Sequence, residues 1–451
     1  MSSSKKVFVV SLGCPKNLVD TELMLGLLEK AGFFPCEEAA EADVLLVNTC
    51  GFIQSAVEEG IEEILALAEV KEKDPGKLLV VAGCMVQRYG ARLEDELPEV
   101  DLFIGTEGTH EIVQQLHRLI EGEHLPLDLS LPPFLMDSSW PRRIATPGHR
   151  AYLKVTEGCA NRCAYCLIPS IRGTLRSRNP ADLIREAQRL ETLGVKELTL
   201  VAQDLTSYGY DQGPGSPRLV TLLEGLLQES TIPWIRLLYL YPVRVDDALL
   251  EFISAHPRIV PYLDIPLQHV EDKILQAMNR PYGRKQVEAL LTRIRRILPR
   301  AAIRTTLMVG FPGETLQDID RMEEFLQEQQ LDHVGIFAYS NEEGCAAFHL
   351  PEQCSEREKE ERRERLLGVQ AKISLAKNQT RIGTVEDVLV EGVSGETELL
   401  LEGRGWFQAP EIDGCIYIAA GTCNQGEIVP VRITEAHPYD LVGEIVPTEG
   451  Q

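Results

Sequence analysis

Hydrophobic and polar positions along the first 120 residues repeat in two periods. Apolar runs at Val7–Leu12, Val44–Val47 and Leu78–Ala82 read as strands, while Leu18–Ala31, Ile53–Glu69 and Gly108–Ile120 read as helices. Strands alternating with helices predict a doubly wound parallel α/β domain over residues 5–121. Periodicity is lost over residues 122–149, where Pro126, Pro132, Pro133, Pro141 and Pro147 predict an extended linker. Between residues 150 and 378 six apolar runs alternate with helical segments. They are Ala151–Thr156, Glu197–Ala202, Ile235–Leu240, Tyr262–Pro266, Ile303–Val309 and Val334–Tyr339. One helix carries all its signals: Asn179 as N-cap, Pro180 as first residue, Gly194 as stop, and Leu183, Ile184, Ala187, Leu190 and Leu193 at helical spacing. Six such units predict a partial (β/α)6 barrel. From 379 to 447 the runs Thr384–Val390, Glu398–Leu401, Cys415–Ile418 and Ile428–Thr434, punctuated by glycine, predict a small antiparallel β-barrel.

Composition narrows the setting. With 451 residues, 44% hydrophobic and 25% charged, the chain can bury a core in each of two or three domains. Met1–Lys6 are polar, and the apolar stretch after them stops by Pro15-Lys16, too short for a signal peptide; no run approaches a membrane span. Eleven cysteines are too sparse for a disulfide scaffold. A reducing compartment, the cytoplasm, is expected. The net charge of −24 speaks against tight, purely electrostatic binding to nucleic acid and suits a basic partner.

Six of the cysteines carry the chemistry. Cys159, Cys163 and Cys166 form a C-x3-C-x2-C run just after the first strand of the central unit. Three thiolates so spaced can bind three irons of a [4Fe–4S] cluster and leave the fourth iron open. A zinc knuckle is the rival, although no second C-x2-C pair or nearby His completes one. Cys14, Cys50 and Cys84 each fall just past the carboxyl end of a predicted strand. In an open α/β sheet those ends share one edge, so the three are expected to converge as a second three-thiolate site, or else to be buried structural cysteines.

The run Cys159–Cys166 followed by Leu-Ile-Pro-Ser-Ile-Arg-Gly resembles the cluster loop of radical S-adenosylmethionine enzymes. In that superfamily the open iron takes the amine and carboxylate of S-adenosylmethionine, and the reduced cluster splits it to a 5′-deoxyadenosyl radical. The resemblance implies that later strand ends hold the cofactor, with Gln203 and Asp204, then Gln268 and His269, then the run Gly310-Phe311-Pro312-Gly313-Glu314. Arg172, Arg176 and Arg178 are expected to neutralise a carboxylate or a cluster, or to form a solvated basic patch. The third unit resembles the TRAM domain, yet between Lys377 and Glu444 it has four basic residues against twelve acidic ones. Such a surface would repel phosphate, so direct binding of transfer RNA is not expected.

The three units in this order resemble the methylthiotransferase family. Within it, Ser11–Asp20 is similar to the RimO branch, which modifies an aspartate of ribosomal protein S-twelve; the transfer-RNA branch typically shows Gly-Cys-Gln-Met-Asn there. Cys345 departs from the threonine usual at that position. The resemblance implies two [4Fe–4S] clusters, two S-adenosylmethionine molecules per turnover, a reductant such as flavodoxin or ferredoxin, and a sulfur donor. Cluster one, on Cys159, Cys163 and Cys166, would generate the radical that takes hydrogen from the aspartate β-carbon. Cluster two, on Cys14, Cys50 and Cys84, would carry the sulfur that is methylated and transferred. A transfer-RNA methylthiotransferase and a non-enzymatic iron–sulfur carrier are the alternatives.

Overall fold

The computed structural model describes residues 5–129 and 133–447. Met1–Ser4 of the polar start and Pro132 of the linker lie outside the described residues. Strands β1 (Lys5–Ser11), β2 (Phe33–Pro35), β3 (Val44–Thr49), β4 (Leu78–Gly83) and β5 (Leu102–Ile104) form a parallel sheet in the order β2-β1-β3-β4-β5. Helices cover both faces, which is why Val44–Thr49 is buried at every position rather than at alternate ones. The strands β2 and β5, three residues each, are additional to those read from the sequence. The short run is ambiguous by periodicity alone; its neighbours in the sheet make it a strand. Helix α1 (Pro15–Lys30) follows β1, and α2 (Gln54–Lys73) follows β3.

The central sheet is parallel throughout, in the order β6-β9-β10-β11-β12-β13. Its strands are β6 (Arg150–Lys154), β9 (Glu197–Val201), β10 (Trp234–Leu237), β11 (Ile259–Asp264), β12 (Ala302–Val309) and β13 (His333–Ala338). Between β6 and β9 a small antiparallel ribbon, β7 (Thr156–Glu157) with β8 (Arg176–Ser177), clasps the loop that bears Cys159, Cys163 and Cys166. The helix at Pro180–Thr192 starts as its signals predict, with the Asn179 side chain accepting from the Ala181 N–H at 2.9 Å.

The two faces of this sheet differ in kind. Ala151, Leu153, Leu198, Leu200, Ile235, Leu237, Leu263 and Ile303 pack outward under the helices. The alternate positions Tyr152, Lys154, Glu197, Arg236, Tyr262 and Asp264 point inward and are buried although polar. A partial barrel leaves this polar interior open on one side. Two other units close it: α1, through Val19 and Leu23, and the C-terminal barrel, through Val388, Val390, Phe407 and Ile416.

That barrel is closed by five strands in the order β14-β15-β16-β18-β17. They are β14 (Val385–Val393), β15 (Leu401–Gly405), β16 (Ile416–Ala420), β17 (Ile428–Ala436) and β18 (Leu441–Ile445). The pairing of β16 with β18 is parallel, and β18 is the strand that sequence reading did not mark. Charge fixes the barrel to the core. Glu197, fully buried, sits between Arg236 and Arg404, the latter at 2.6 Å. Arg404 also donates to Glu391 at 2.7 Å, and Glu391 meets His149 at 2.7 Å. Asp413 accepts from the Tyr262 hydroxyl at 2.6 Å, and Glu411 pairs with Arg150 at 2.9 Å. Glu391 and Asp413 are thus turned toward the core while Glu411 stays half exposed, and the barrel's outward acidity is smaller than its sequence count implies.

The proline-rich linker is not a free spacer. Arg142 is buried and joins Glu22 of α1 to Glu186 of the helix at Pro180–Thr192, the second contact at 2.6 Å. Gly26 lies so close to the backbone of Pro141 that a Cβ there would stand 2.6 Å from its carbonyl carbon. The segment is a strap that holds the first domain to the second.

Glu197→Gln leaves two buried guanidinium groups around a neutral amide and is expected to lower stability by about 3–5 kcal/mol, read as a lower urea midpoint by tryptophan fluorescence. Burial pushes Glu197 and Glu391 upward, but Arg236 and Arg404 around the first, and His149, Arg404 and Arg150 around the second, outweigh it and hold both at about 2 against 4.5. Folded values below the unfolded value stabilise above pH 4.5, and that contribution is lost as pH falls from 4.5 toward 2. Acid titration is expected to loosen the barrel from the core in that window, seen as new protease cleavage between Gln379 and Val385.

Candidate active site

The three strand ends of the first sheet interlock. Cys14, Cys50 and Cys84 follow β1, β3 and β4 directly. Gly13 has φ +91°, and a Cβ on it would stand 2.9 Å from the Cys50 Cβ; one on Gly51 would stand 2.7 Å from the backbone of Cys84. Beneath them the Asn48 amide donates to the Asn17 carbonyl at 2.9 Å and to Thr21 at 2.8 Å, and Asn17 donates to the Leu12 carbonyl at 2.7 Å. These buried bonds set where α1 begins and hence where Cys14 points.

The second triad lies on the loop clasped by β7 and β8. Each of its sulfurs receives one N–H donor: Cys159 from Asn161 at 3.4 Å, Cys166 from Ile168 at 3.5 Å, and Cys163 from the Arg280 guanidinium at 3.4 Å. In the first triad Arg172 donates to Cys84 at 3.3 Å, the backbone N–H groups of Asn17 and Lys16 face Cys14, and that of Phe52 faces Cys50. Donors aimed at sulfur favour the thiolate, the form that binds iron. Burial pushes Cys84 and Cys166 up to about 12 and also raises Cys50 and Cys159. Burial acts on Cys14 as well, but Lys16, Arg172 and the backbone donors prevail and it lies below its ordinary value. Loading metal at the buried thiols therefore expels protons.

All six cysteines line one cavity of about 370 Å³, with Lys16, Gln203, Gln268, Tyr239, Arg172 and Arg280 among its other walls. Among the described residues no three His, Cys, Asp or Glu side chains are grouped as they would be round a single ion. A zinc knuckle needs such a group, whereas a cubane cluster holds its thiolates apart on separate irons. Gln203 presents an amide whose oxygen and nitrogen are buried without a partner among the described residues, an unmet demand for a bound polar ligand. The residues fit a three-thiolate cluster at each triad and a polar cofactor between them.

Other expected residues lie differently. Gln268 lines the cavity, and Asp204 supports it: its carboxylate accepts from Asn161 at 2.8 Å and Arg244 at 2.8 Å. His269 is fully buried against Glu314, 3.1 Å away, and outside the cavity wall. Gly310 packs against the Lys359 side chain, and its N–H donates to Glu314 at 2.7 Å; neither it nor Arg178 lines the cavity. Arg178 is buried between the Lys154 carbonyl, Asp182 and Glu186, and Arg176 pairs with Glu107 at 2.7 Å. Neither forms a solvated patch. Cys345 is buried with Cys84, Leu167 and Ile171, at the seam between the triads. Lys16, Tyr239 and Arg280 had no role in the sequence reading. For Arg280 no local signal exists, because its partner sulfur is 117 residues away.

Three family models match the chain: Uncharacterized protein family UPF0004 over residues 6–105, the Radical SAM superfamily over 153–326, and the TRAM domain over 382–446. Curated relatives match end to end. The ribosomal protein uS12 methylthiotransferase RimO of Desulfotalea psychrophila is 52% identical over 444 residues, 98% of this chain and 100% of that one. The protein of the same name from Geobacter sulfurreducens is 46% identical over 447 residues, 99% of this chain and 100% of that one. Among solved structures, the radical S-adenosylmethionine methyltransferase TsrM from Kitasatospora setae, with cobalamin and a [4Fe-4S] cluster bound, shares the fold at TM-score 0.55 and 13% identity, covering 74% of this chain and 72% of that one. Fold and site define a radical S-adenosylmethionine enzyme, a class that uses S-adenosylmethionine and a [4Fe–4S] cluster. With these relatives, the chain belongs to the RimO family of methylthiotransferases.

One buried node joins the domains at this site. Arg172 pairs with Asp20 at 2.9 Å and Glu157 at 3.1 Å, while Lys154 binds the same two carboxylates. Arg172→Met leaves two buried carboxylates sharing one lysine. It is expected to cost about 3–5 kcal/mol, measured as a lower melting temperature with faster hydrogen exchange in α1.

Proposed function

We propose that this chain methylthiolates the β-carbon of an aspartate side chain on ribosomal protein uS12, using two clusters and two molecules of S-adenosylmethionine per turnover. Cys159, Cys163 and Cys166 would hold one [4Fe–4S] cluster and Cys14, Cys50 and Cys84 the other. When bound, these groups supply one-electron cleavage of S-adenosylmethionine and a place for the transferred sulfur. The observation that carries the reading is the single cavity walled by both triads. It lets the carbon that loses hydrogen and the sulfur that replaces it meet without release of either substrate.

The chain's own residues do the positioning. Arg280, Asn161 and Ile168 hold the three thiolates of the core loop, Arg172 holds Cys84, and Gln203 and Gln268 offer polar contacts to the cofactor. The node of Arg172, Lys154, Asp20 and Glu157 fixes the distance between triads. The functional division at residues 5–121, 150–378 and 379–447 follows these roles. A basic protein substrate accords with the acidic chain, which argues against transfer RNA. A cytoplasmic setting, a reductant such as flavodoxin or ferredoxin and a separate sulfur donor complete the reading; no helix among the described residues is long and apolar enough to cross a membrane.

Anaerobic reconstitution with iron and sulfide counts tests the two sites. A Cys159/Cys163/Cys166→Ala variant and a Cys14/Cys50/Cys84→Ala variant are each expected to keep about half the iron of the wild type, as independent three-thiolate sites require. Loss of all iron in the first variant would reduce the N-terminal triad to a structural role. Mass spectrometry of uS12 and of transfer RNA after turnover separates the substrates: a methylthio increment on the protein alone is the expected result.

A further inference from the structure

Around the cavity, each buried cation but one among the described residues has a carboxylate or a hydrogen-bonded sulfur as partner. Lys154 has Asp20 and Glu157, Arg172 has those two and Cys84, and Arg280 has Cys163 and the Pro266 carbonyl. Lys16 is the exception. It is 8% exposed, lines the cavity, and the charged or titratable groups that act on it are Cys14, Tyr239 and Arg172. No carboxylate among the described residues lies within ion-pair distance of its ammonium. Such a group in a buried place is costly unless a counter-charge arrives.

Beside the Cys14 sulfur, the surroundings hold this ammonium in place without giving it a carboxylate partner. Its nitrogen stands 3.6 Å over the centroid of the Tyr239 ring. Tyr239 itself has φ +64°, a left-handed conformation that tyrosine rarely adopts. Its N–H donates to Asp264 at 3.0 Å and its carbonyl accepts from Leu205 at 2.9 Å, so two other strand ends secure the strained turn. The carboxylate among the cavity walls, Asp204, is turned to Asn161, Arg244 and Thr206 and makes no pair with Lys16.

We infer that Lys16 receives the side-chain carboxylate of the acceptor residue and so sets which carbon is presented between the triads. The inference rests on the substrate reading above. In an aspartate the carboxyl carbon is bonded directly to the β-carbon, so anchoring the carboxylate at Lys16 locates the reacting carbon to within one bond. It also selects an acidic side chain over its amide, because an amide would leave the ammonium buried and unpaired. Lys16 is then a specificity-determining residue whose place beside Cys14 puts the acceptor next to the sulfur-bearing side of the cavity.

The test uses the reconstituted full-length protein with a uS12 peptide carrying the acceptor aspartate, and the same peptide with asparagine in its place. Anaerobic fluorescence anisotropy gives the two dissociation constants, and iron and sulfide counts accompany each variant. The wild type is expected to prefer the aspartate peptide by about tenfold or more. Lys16→Met is expected to lose that preference by weakening the aspartate peptide alone, and Lys16→Arg to recover most of it. Equal binding of both peptides by the wild type overturns the inference, assigning Lys16 to cluster charge, and leaves the methylthiolation of uS12 standing. A preference that survives in Lys16→Met overturns it too. If Lys16→Met loses iron, the wild-type preference together with its retention in Lys16→Arg still supports the inference, and its absence overturns it. A wild type that binds neither peptide and modifies neither refutes the substrate reading itself.

Discussion

The structure depends on a buried quartet of charges, Arg172 and Lys154 against Asp20 and Glu157. Two of the four come from the clasped loop and its ribbon, one from the first strand of the central sheet, and Asp20 from helix α1 of the N-terminal domain. The quartet is neutral as a set, so the cost of removing each ion from water is offset only when all four are present. Hydrophobic contact between domains would tolerate sliding by a residue or a turn; paired charges in a dry place do not. What the quartet specifies is therefore relative placement. It holds two cysteine triads, borne on separate sheets, against a common cavity.

The polar interior of the central sheet follows from the same requirement. Strands buried on both faces ordinarily read as unbroken apolar runs. Here one face is apolar and the other carries Lys154, Glu197, Arg236 and Asp264, because a barrel with its side open can be completed by other parts of the chain. At one end of the strands these groups bind the N-terminal domain and at the other the C-terminal barrel, whose Arg404 and Asp413 enter the charge network. The barrel is a wall of the core as much as an appendage to it.

Much of this was legible in the sequence. The period of the apolar runs identified every strand of the central sheet, and the position of Cys14, Cys50 and Cys84 after three such runs predicted their convergence, because strand ends of a parallel sheet share an edge. What could not be read was whatever depends on a partner distant in sequence. His269 and Gly310 stand in turn-like motifs, yet Glu314 and Lys359 claim them. A count treats every acidic residue of the barrel as surface, yet Glu386, Glu391 and Asp413 are internal, since a charge count carries no direction. The residues of Ile235–Leu240 favour a single strand; the structure ends it at Leu237 and turns Tyr239 to positive φ under tertiary constraint.

The strap through Arg142 also bears on how the chain is made. Glu22 is fully buried, and its cation stands 120 residues further along. As synthesis proceeds from the N-terminus, the first sheet can form from its own local βα units, but the face of α1 that carries Glu22 has no counter-charge until the strap emerges. The second anchor of Arg142, Glu186, comes later still. Closure of the first domain onto the second thus waits until Glu186, made after all six thiols, meets Arg142. The order of translation becomes an order of assembly in which the cavity closes only after every thiol that lines it has been made.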